Sequence, residues 1–180
     1  FKALEANTSG SSNTALGYSA LLANTTGTQN TAVGSNALDA NTTGVENTAV
    51  GTNSLTKNTT GANNTALGRN TLEDNVSGSN NTAVGGDAMI DNTADNNTAI
   101  GRSAMRVNTT GTRNTAVGPL ALDANTTADN NTAIGEQALT SNTTGAENTV
   151  SGQGAMSVNT TGSFNVAMGA SSLQNNTTAS

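Results

Sequence analysis

The sequence predicts an all-β chain, a parallel β-solenoid or β-roll of about ten coils with roughly 17 residues in each. Three observations predict it. The motif Asn30-Thr31-Ala32-Val33-Gly34 returns in close copies that begin at Asn13, Asn47, Asn64, Asn81, Asn97, Asn114, Asn131, Asn148 and Asn165. Its closing glycines, Gly17, Gly34, Gly51, Gly68, Gly85, Gly101, Gly118, Gly135, Gly152 and Gly169, are 17 residues apart, with one step of 16 between Gly85 and Gly101. Apolar and asparagine positions recur in phase with these glycines. A fixed period over a whole chain outranks local propensity, so residues 1–180 read as a single repeat array.

The first element of each unit is the motif itself. Thr-Ala-Val alternates with period two, and Thr and Val favour strands. A turn follows at Gly34-Ser35-Asn36, where glycine and asparagine supply unusual backbone angles. A second short strand is expected through Ala37–Ala40, and the corner Asn41-Thr42-Thr43-Gly44 closes the coil. No unit leaves room for a helix. Coils stacked in register hydrogen-bond at ~4.8 Å, which makes a rod on the order of 48 Å long.

Two apolar anchors per unit are expected to face inward. The first precedes the glycine: Val33, Val50, Leu67, Val84, Ile100, Val117 and Ile134. The second lies further on: Leu38, Leu55, Leu72, Met89, Met105, Leu122 and Leu139. The residue after the second anchor varies freely (Leu22, Asp39, Thr56, Glu73, Ile90), which marks an outward slot. The positions after each glycine vary equally and include Pro119, so that slot should donate no ladder hydrogen bond.

Two asparagine columns run through the array. One holds Asn24, Asn41, Asn58, Asn75, Asn92, Asn108, Asn125, Asn142 and Asn159; the other opens each motif. Stacked amides can bond coil to coil and satisfy turn groups, so these columns read first as structural ladders. Asn24, Asn41, Asn58, Asn108, Asn125, Asn142 and Asn159 are also Asn-x-Thr sequons and candidate glycosylation sites. Glycans on every coil would be crowded, and an inward asparagine could not be modified; outward Thr and Ser hydroxyls are alternative O-linked sites.

Two units bend the rule. Asn92-Thr93-Ala94-Asp95-Asn96-Asn97 lacks one residue and its glycine, and Asn125-Thr126-Thr127-Ala128 keeps its length but has alanine for glycine. The neighbouring Asp and Asn residues lack the alternating acidic spacing and late bidentate Glu of a calcium loop. No metal or other cofactor is expected.

Composition narrows the function classes. Apolar residues are 33% and charged residues 10%, against about 45–50% and 25% in an ordinary domain. The net charge of −6 with six basic residues argues against a nucleic-acid partner. No apolar run approaches the ~20 residues of a membrane span, so no membrane insertion is expected. The absence of His removes the commonest general base, and the carboxylates fall in freely varying slots. An enzyme is not expected. Two aliphatic side chains per coil make a thin core, which favours a homo-oligomer in which a second chain covers one face. The array begins and ends in mid-repeat, and the expectation is more of the same at both ends, by chain continuation or end-to-end stacking into a filament. The alternative function is an ice-binding solenoid using the columns Thr25, Thr42, Thr59 and Thr26, Thr43, Thr60.

The motif Asn-Thr-Ala-Val-Gly-x-x-Ala-Leu-x-x-Asn-Thr-Thr-Gly resembles tandem arrays of tail-fibre-like surface proteins and, more distantly, the β-roll heads of trimeric autotransporter adhesins. The resemblance spans essentially the whole chain. It implies a left-handed roll, often trimeric, in an extracellular fibre, filament or adhesin shaft at a cell or virion surface. The chain departs from the adhesin heads in using 17 residues per coil, where they commonly use fewer, and in placing Thr where they often have Val.

Overall fold

The computed structural model describes residues 2–180. Ten three-residue strands follow one another: β1 Thr14–Leu16, β2 Thr31–Val33, β3 Thr48–Val50, β4 Thr65–Leu67, β5 Thr82–Val84, β6 Thr98–Ile100, β7 Thr115–Val117, β8 Thr132–Ile134, β9 Thr149–Ser151 and β10 Val166–Met168. They form one sheet in chain order. Each neighbouring pair is parallel, as in Ala32 opposite Ala49 and Ala116 opposite Ala133. Equivalent residues therefore stack directly, and the chain is a β-solenoid. The 16-residue step leaves the sheet untouched, since Val84 still faces Ile100 across β5 and β6. Among the described residues there is no helix, and none is long and apolar enough to cross a membrane.

One strand forms per coil, not two. The expected strand through Ala37–Ala40 is replaced by turns, because Asn36 and Leu38 take left-handed angles (φ 56° and 52°). Ala37 N–H donates back to the Gly34 carbonyl at 3.4 Å; a positive φ at the third residue is the type II turn geometry that asparagine tolerates. The ladder survives without extended backbone. Leu38 N–H donates to Ser54 O at 3.0 Å and Ala40 N–H to Thr56 O at 3.2 Å, each in the next coil. Among the described residues, no N–H in the slot after the glycine makes a backbone bond, which is why Pro119 fits there; its carbonyl still accepts from Gln137 N–H at 2.9 Å.

The core also differs from expectation at one column. Leu38, Leu55, Leu72, Met89, Met105, Leu122 and Leu139 are fully buried, as expected. The column before the glycine is not. Val33, Val50, Val84 and Val117 are half-buried, and Leu67, Ile100 and Ile134 are exposed. The inward strand residue is alanine: Ala32, Ala49, Ala66, Ala83, Ala99, Ala116 and Ala133 are buried completely. The period of a strand is two, so Thr31 and Val33 must share the face opposite Ala32. The interior is already filled by the Leu/Met column, a second alanine column (Ala37, Ala88, Ala104, Ala121, Ala138) and the asparagine amides, which leaves room for a methyl group.

The Leu/Met column carries a backbone cost. Every one of these residues has φ near +50°, from Leu4 to Leu173. A left-handed non-glycine residue costs roughly 1–2 kcal/mol. Burial of a Leu or Met side chain contributes roughly 1.5–3 kcal/mol, enough to hold the angle once the coil is stacked.

Candidate functional site

The most specific constellation in the chain is the pair of asparagine ladders. In the first, Asn41 Nδ2 donates to Asn24 Oδ1 of the preceding coil at 2.9 Å and to the Gly44 carbonyl of its own corner at 3.1 Å. Asn58 Nδ2 repeats the pattern onto Asn41 Oδ1 at 2.9 Å. In the second, Asn47 donates both its backbone N–H (3.0 Å) and Nδ2 (3.1 Å) to Asn30 Oδ1, and Nδ2 also reaches the Gly61 carbonyl at 2.8 Å. Both ladders are fully buried through the middle of the rod. A buried amide is costly unless its donors and acceptors are matched, and stacking identical coils matches them.

The threonine after each ladder asparagine adds a third chain of bonds. Thr42 Oγ1 donates to Thr59 O at 3.1 Å and Thr25 Oγ1 to Thr42 O at 3.1 Å. These half-buried hydroxyls have their proton committed to the backbone. The Thr26, Thr43 and Thr60 column is exposed. It is broken by Ser77 and by the missing residue after Thr93. The two columns put forward for an ice lattice are thus a spent column and an interrupted one.

The sequon asparagines are ladder members. Asn24, Asn41, Asn58, Asn108, Asn125, Asn142 and Asn159 are all 0% exposed. Each donates Nδ2 to the preceding asparagine and to a corner carbonyl, as Asn159 does to Asn142 Oδ1 at 2.9 Å and Gly162 O at 3.0 Å. A sugar on that nitrogen would have to displace both ladder bonds.

Charged groups lie on the outer slots and pair mostly across coils. Lys57 meets Asp74 at 2.7 Å, Arg69 meets Asp87 at 3.1 Å, Arg106 meets Asp123 at 3.0 Å and Arg113 meets Asp129 at 3.7 Å. The Asp74 carboxylate raises the Lys57 pKa, first through its hydrogen bond and then through its charge, and Asp123 does the same for Arg106. Such exposed pairs contribute little to stability, because solvent and salt screen them. Asp39 is different: its Oδ1 is buried without a hydrogen-bond partner. Burial pushes its carboxyl above the ordinary range, against the opposing pull of the Ala40 and Asp39 N–H groups. Among the described residues no cluster of three or more His, Cys, Asp or Glu is placed to hold a metal ion.

The outer strand face completes the inventory. The first strand position is Thr from Thr14 through Thr149 and Val166 in β10; the third is apolar except at Ser151. Neither column carries a charge. Large side chains stand in the open along it, Leu67 at 47%, Ile100 at 42% and Ile134 at 43%.

Sequence reasoning placed the ladders and the Leu/Met column, and missed the alanine column and this face. The missed signal lay inside the array. Ala32 and its equivalents hardly change from coil to coil, whereas the position before the glycine wanders through Val, Leu, Ile, Ser and Met. Constancy among copies marks a tightly enclosed position, by the same logic that marked the variable slots as outward. Comparison with protein-family models, with curated proteins and with solved structures finds no match.

Proposed function

We propose that the chain is a non-enzymatic structural rod, a length of extracellular fibre, filament or adhesin shaft. One observation carries this reading: hydrogen bonding between coils recurs around the perimeter. At the strand, Thr31 N–H donates to Asn47 O at 2.8 Å; on the opposite wall, Leu38 N–H donates to Ser54 O at 3.0 Å; at the corner, Asn41 Nδ2 reaches Asn24 Oδ1 at 2.9 Å. A tensile or bending load along the axis is then shared by backbone and side-chain bonds at once, and lengthening the rod requires only more copies of the same unit.

The partner in this reading is a second or third copy of the chain, seated on the uncharged Thr/aliphatic strand face. Ten strands at ~4.8 Å and three residues at ~3.3 Å give a face of roughly 500 Å². That is below the ~800 Å² per partner of a standard interface. Association through this face is therefore weak for a short array and strengthens with the number of coils. Sedimentation velocity over a range of concentrations tests it. Reversible oligomers that disappear in the double variant Ile100→Lys/Ile134→Lys support the reading. A wild-type chain that stays monomeric at every concentration contradicts it.

A second reading, ice binding, is favoured by one observation: the in-register column Thr31, Thr48, Thr65, Thr82, one hydroxyl and one methyl per coil on an uncharged face. Thermal hysteresis of the purified chain, abolished by Thr65→Lys/Thr82→Lys, would select this role over the shaft. A melting and freezing point that coincide at millimolar protein would exclude it.

A further inference from the structure

The first asparagine ladder is interrupted at one place, although the second runs through it, with Asn97 N–H on Asn81 Oδ1 at 2.9 Å. At every other junction between coils among the described residues, the corner backbone donates to the carbonyl below it: Thr25 N–H and Thr26 N–H both reach Thr42 O, at 3.0 and 3.2 Å, and Thr109 N–H and Thr110 N–H both reach Thr126 O, at 2.9 and 3.0 Å. Between the coil of Asn75 and the coil of Asn92 these bonds are missing. Neither Val76 N–H nor Ser77 N–H has a backbone partner, and Thr93 O receives nothing from the corner above. Two side-chain bonds are missing too, although Asn81 Nδ2 still reaches the Ala94 carbonyl across the junction at 2.8 Å. Val76 stands where a threonine hydroxyl would donate, and Asn92 Nδ2 donates only to Ala94 O at 2.9 Å. Asn75 Oδ1 is left buried with no partner.

The cause is the shortened unit. Asn92-Thr93-Ala94 lacks the second threonine, so its corner is pulled in and Asn92 turns its Oδ1 to Asn97 Nδ2 at 3.2 Å and Asn108 Nδ2 at 2.7 Å. The other wall of the junction stays closed. β5 and β6 keep full register, Asn96 N–H donates to Ser79 O at 3.0 Å, and Asp74 N–H donates to Ile90 O at 2.9 Å. At the rim of the gap, Asp95 Oδ1 accepts from Ser79 N–H at 2.7 Å.

We propose that this junction is a built-in hinge: the rod is two stiff blocks joined by the intact β5–β6 pairing and open at the Asn75/Asn92 corner. Local opening is governed by the bonds that must break, and here the two corner amide bonds and the Asn75–Asn92 ladder bond are already absent. The inference concerns the mechanics of the rod and holds whatever the rod is used for.

Hydrogen exchange of the intact chain tests it. Val76 and Ser77 amides are expected to exchange at least tenfold faster than Thr25, Thr26, Thr126 and Thr127. The repaired variant, Val76→Thr with a threonine inserted between Thr93 and Ala94, should bring them to the common rate. Equal rates in the wild-type chain would overturn the proposal. Should the repaired variant fail to fold, spin labels decide on the otherwise cysteine-free chain. The pair Glu46→Cys/Arg113→Cys crosses the junction; Asn96→Cys/Phe164→Cys spans the same number of coils without crossing it. A broader distance distribution for the first pair supports the hinge, and equal widths overturn it.

Discussion

Asn30 and Asn41 donate to the same carbonyl oxygen, that of Gly44, at 2.8 and 3.1 Å. Their side chains come from different coils and different ladders, and together they use both lone pairs of one corner acceptor. Removing one of them unbalances several groups. In Asn41→Ala, Asn24 Oδ1 loses its ladder donor and Asn58 Nδ2 loses an acceptor, both buried. A loss of roughly 2–4 kcal/mol is expected, read as a fall in the chemical-denaturation midpoint. Asn41→Asp should be worse, because a carboxylate oxygen would face Asn24 Oδ1 and Gly44 O with no proton to offer.

Glycines in the array are not equivalent. Gly34 has φ 141°, and a Cβ there would collide with the Gly51 carbonyl of the next coil. Gly154 has φ 63°, and a Cβ there would meet only Ser171 Oγ, at an ordinary contact distance of 3.8 Å, in the slot that Asn36, Asn53 and Asn70 occupy in other coils. Gly34→Ala is expected to cost several kcal/mol, beyond the ~1 kcal/mol of an ordinary glycine effect. Gly154→Asn should be neutral or stabilising by about 0.4–1 kcal/mol. Thermal unfolding of the two variants side by side checks the contrast.

Leu122 and Ile134 separate the two apolar columns. Leu122 is 0% exposed and Ile134 43%. Leu122→Asp buries an unpaired ion and should destabilise by about 4 kcal/mol or more. Ile134→Asp should stay within about 1 kcal/mol in the monomer. Equal losses at both positions would mean that the column before the glycine packs inward after all.

That contrast also shows what the sequence made legible. The period fixed the solenoid, the corners and the two asparagine columns, because each depends only on recurrence and on turn chemistry. Leu38 and Val33 were both read as core because an apolar residue recurs at each, and the reading holds only for Leu38. Val33 was read as core from hydrophobicity alone, although a Thr-Ala-Val strand cannot send Ala32 and Val33 to the same side. The second strand was lost for another reason. Nothing in Ala37-Leu38-Asp39-Ala40 announces a leucine with φ of 52°; that angle is imposed by stacking, not by local preference. The Asn75/Asn92 gap was visible as a missing residue, but its consequence needed the hydrogen bonds.

Asp39 gives the stability a pH dependence of definite sign. Its folded-state pKa is raised by burial, so the folded chain holds this proton more tightly than the unfolded chain does. As pH rises from the unfolded carboxyl value near ~3.9 through the raised folded value, this group's contribution falls. Asp39→Asn should therefore stabilise at neutral pH, by less than about 1 kcal/mol for a partly exposed group, and its advantage should vanish below pH ~4. An advantage that grows on acidification would contradict the assignment.

The buried sequons predict the outcome of intact mass spectrometry. Folded protein from a host that glycosylates secreted chains should carry no sugar on Asn41, Asn58 or Asn142, and any added mass should map to exposed hydroxyls such as Thr43 or Thr60. A folded fraction with glycan on Asn41 would refute the ladder at that coil.

The stacking register tests the solenoid most directly, measured by nuclear Overhauser contacts between backbone protons of adjacent coils. Stacked coils give contacts between residues 17 apart along the rod, as in Ala32 with Ala49 and Ala116 with Ala133, and a step of 16 only across the shortened unit, as in Ala83 with Ala99. A register that slips elsewhere, or contacts confined to residues close in sequence, would contradict the solenoid and everything built on it.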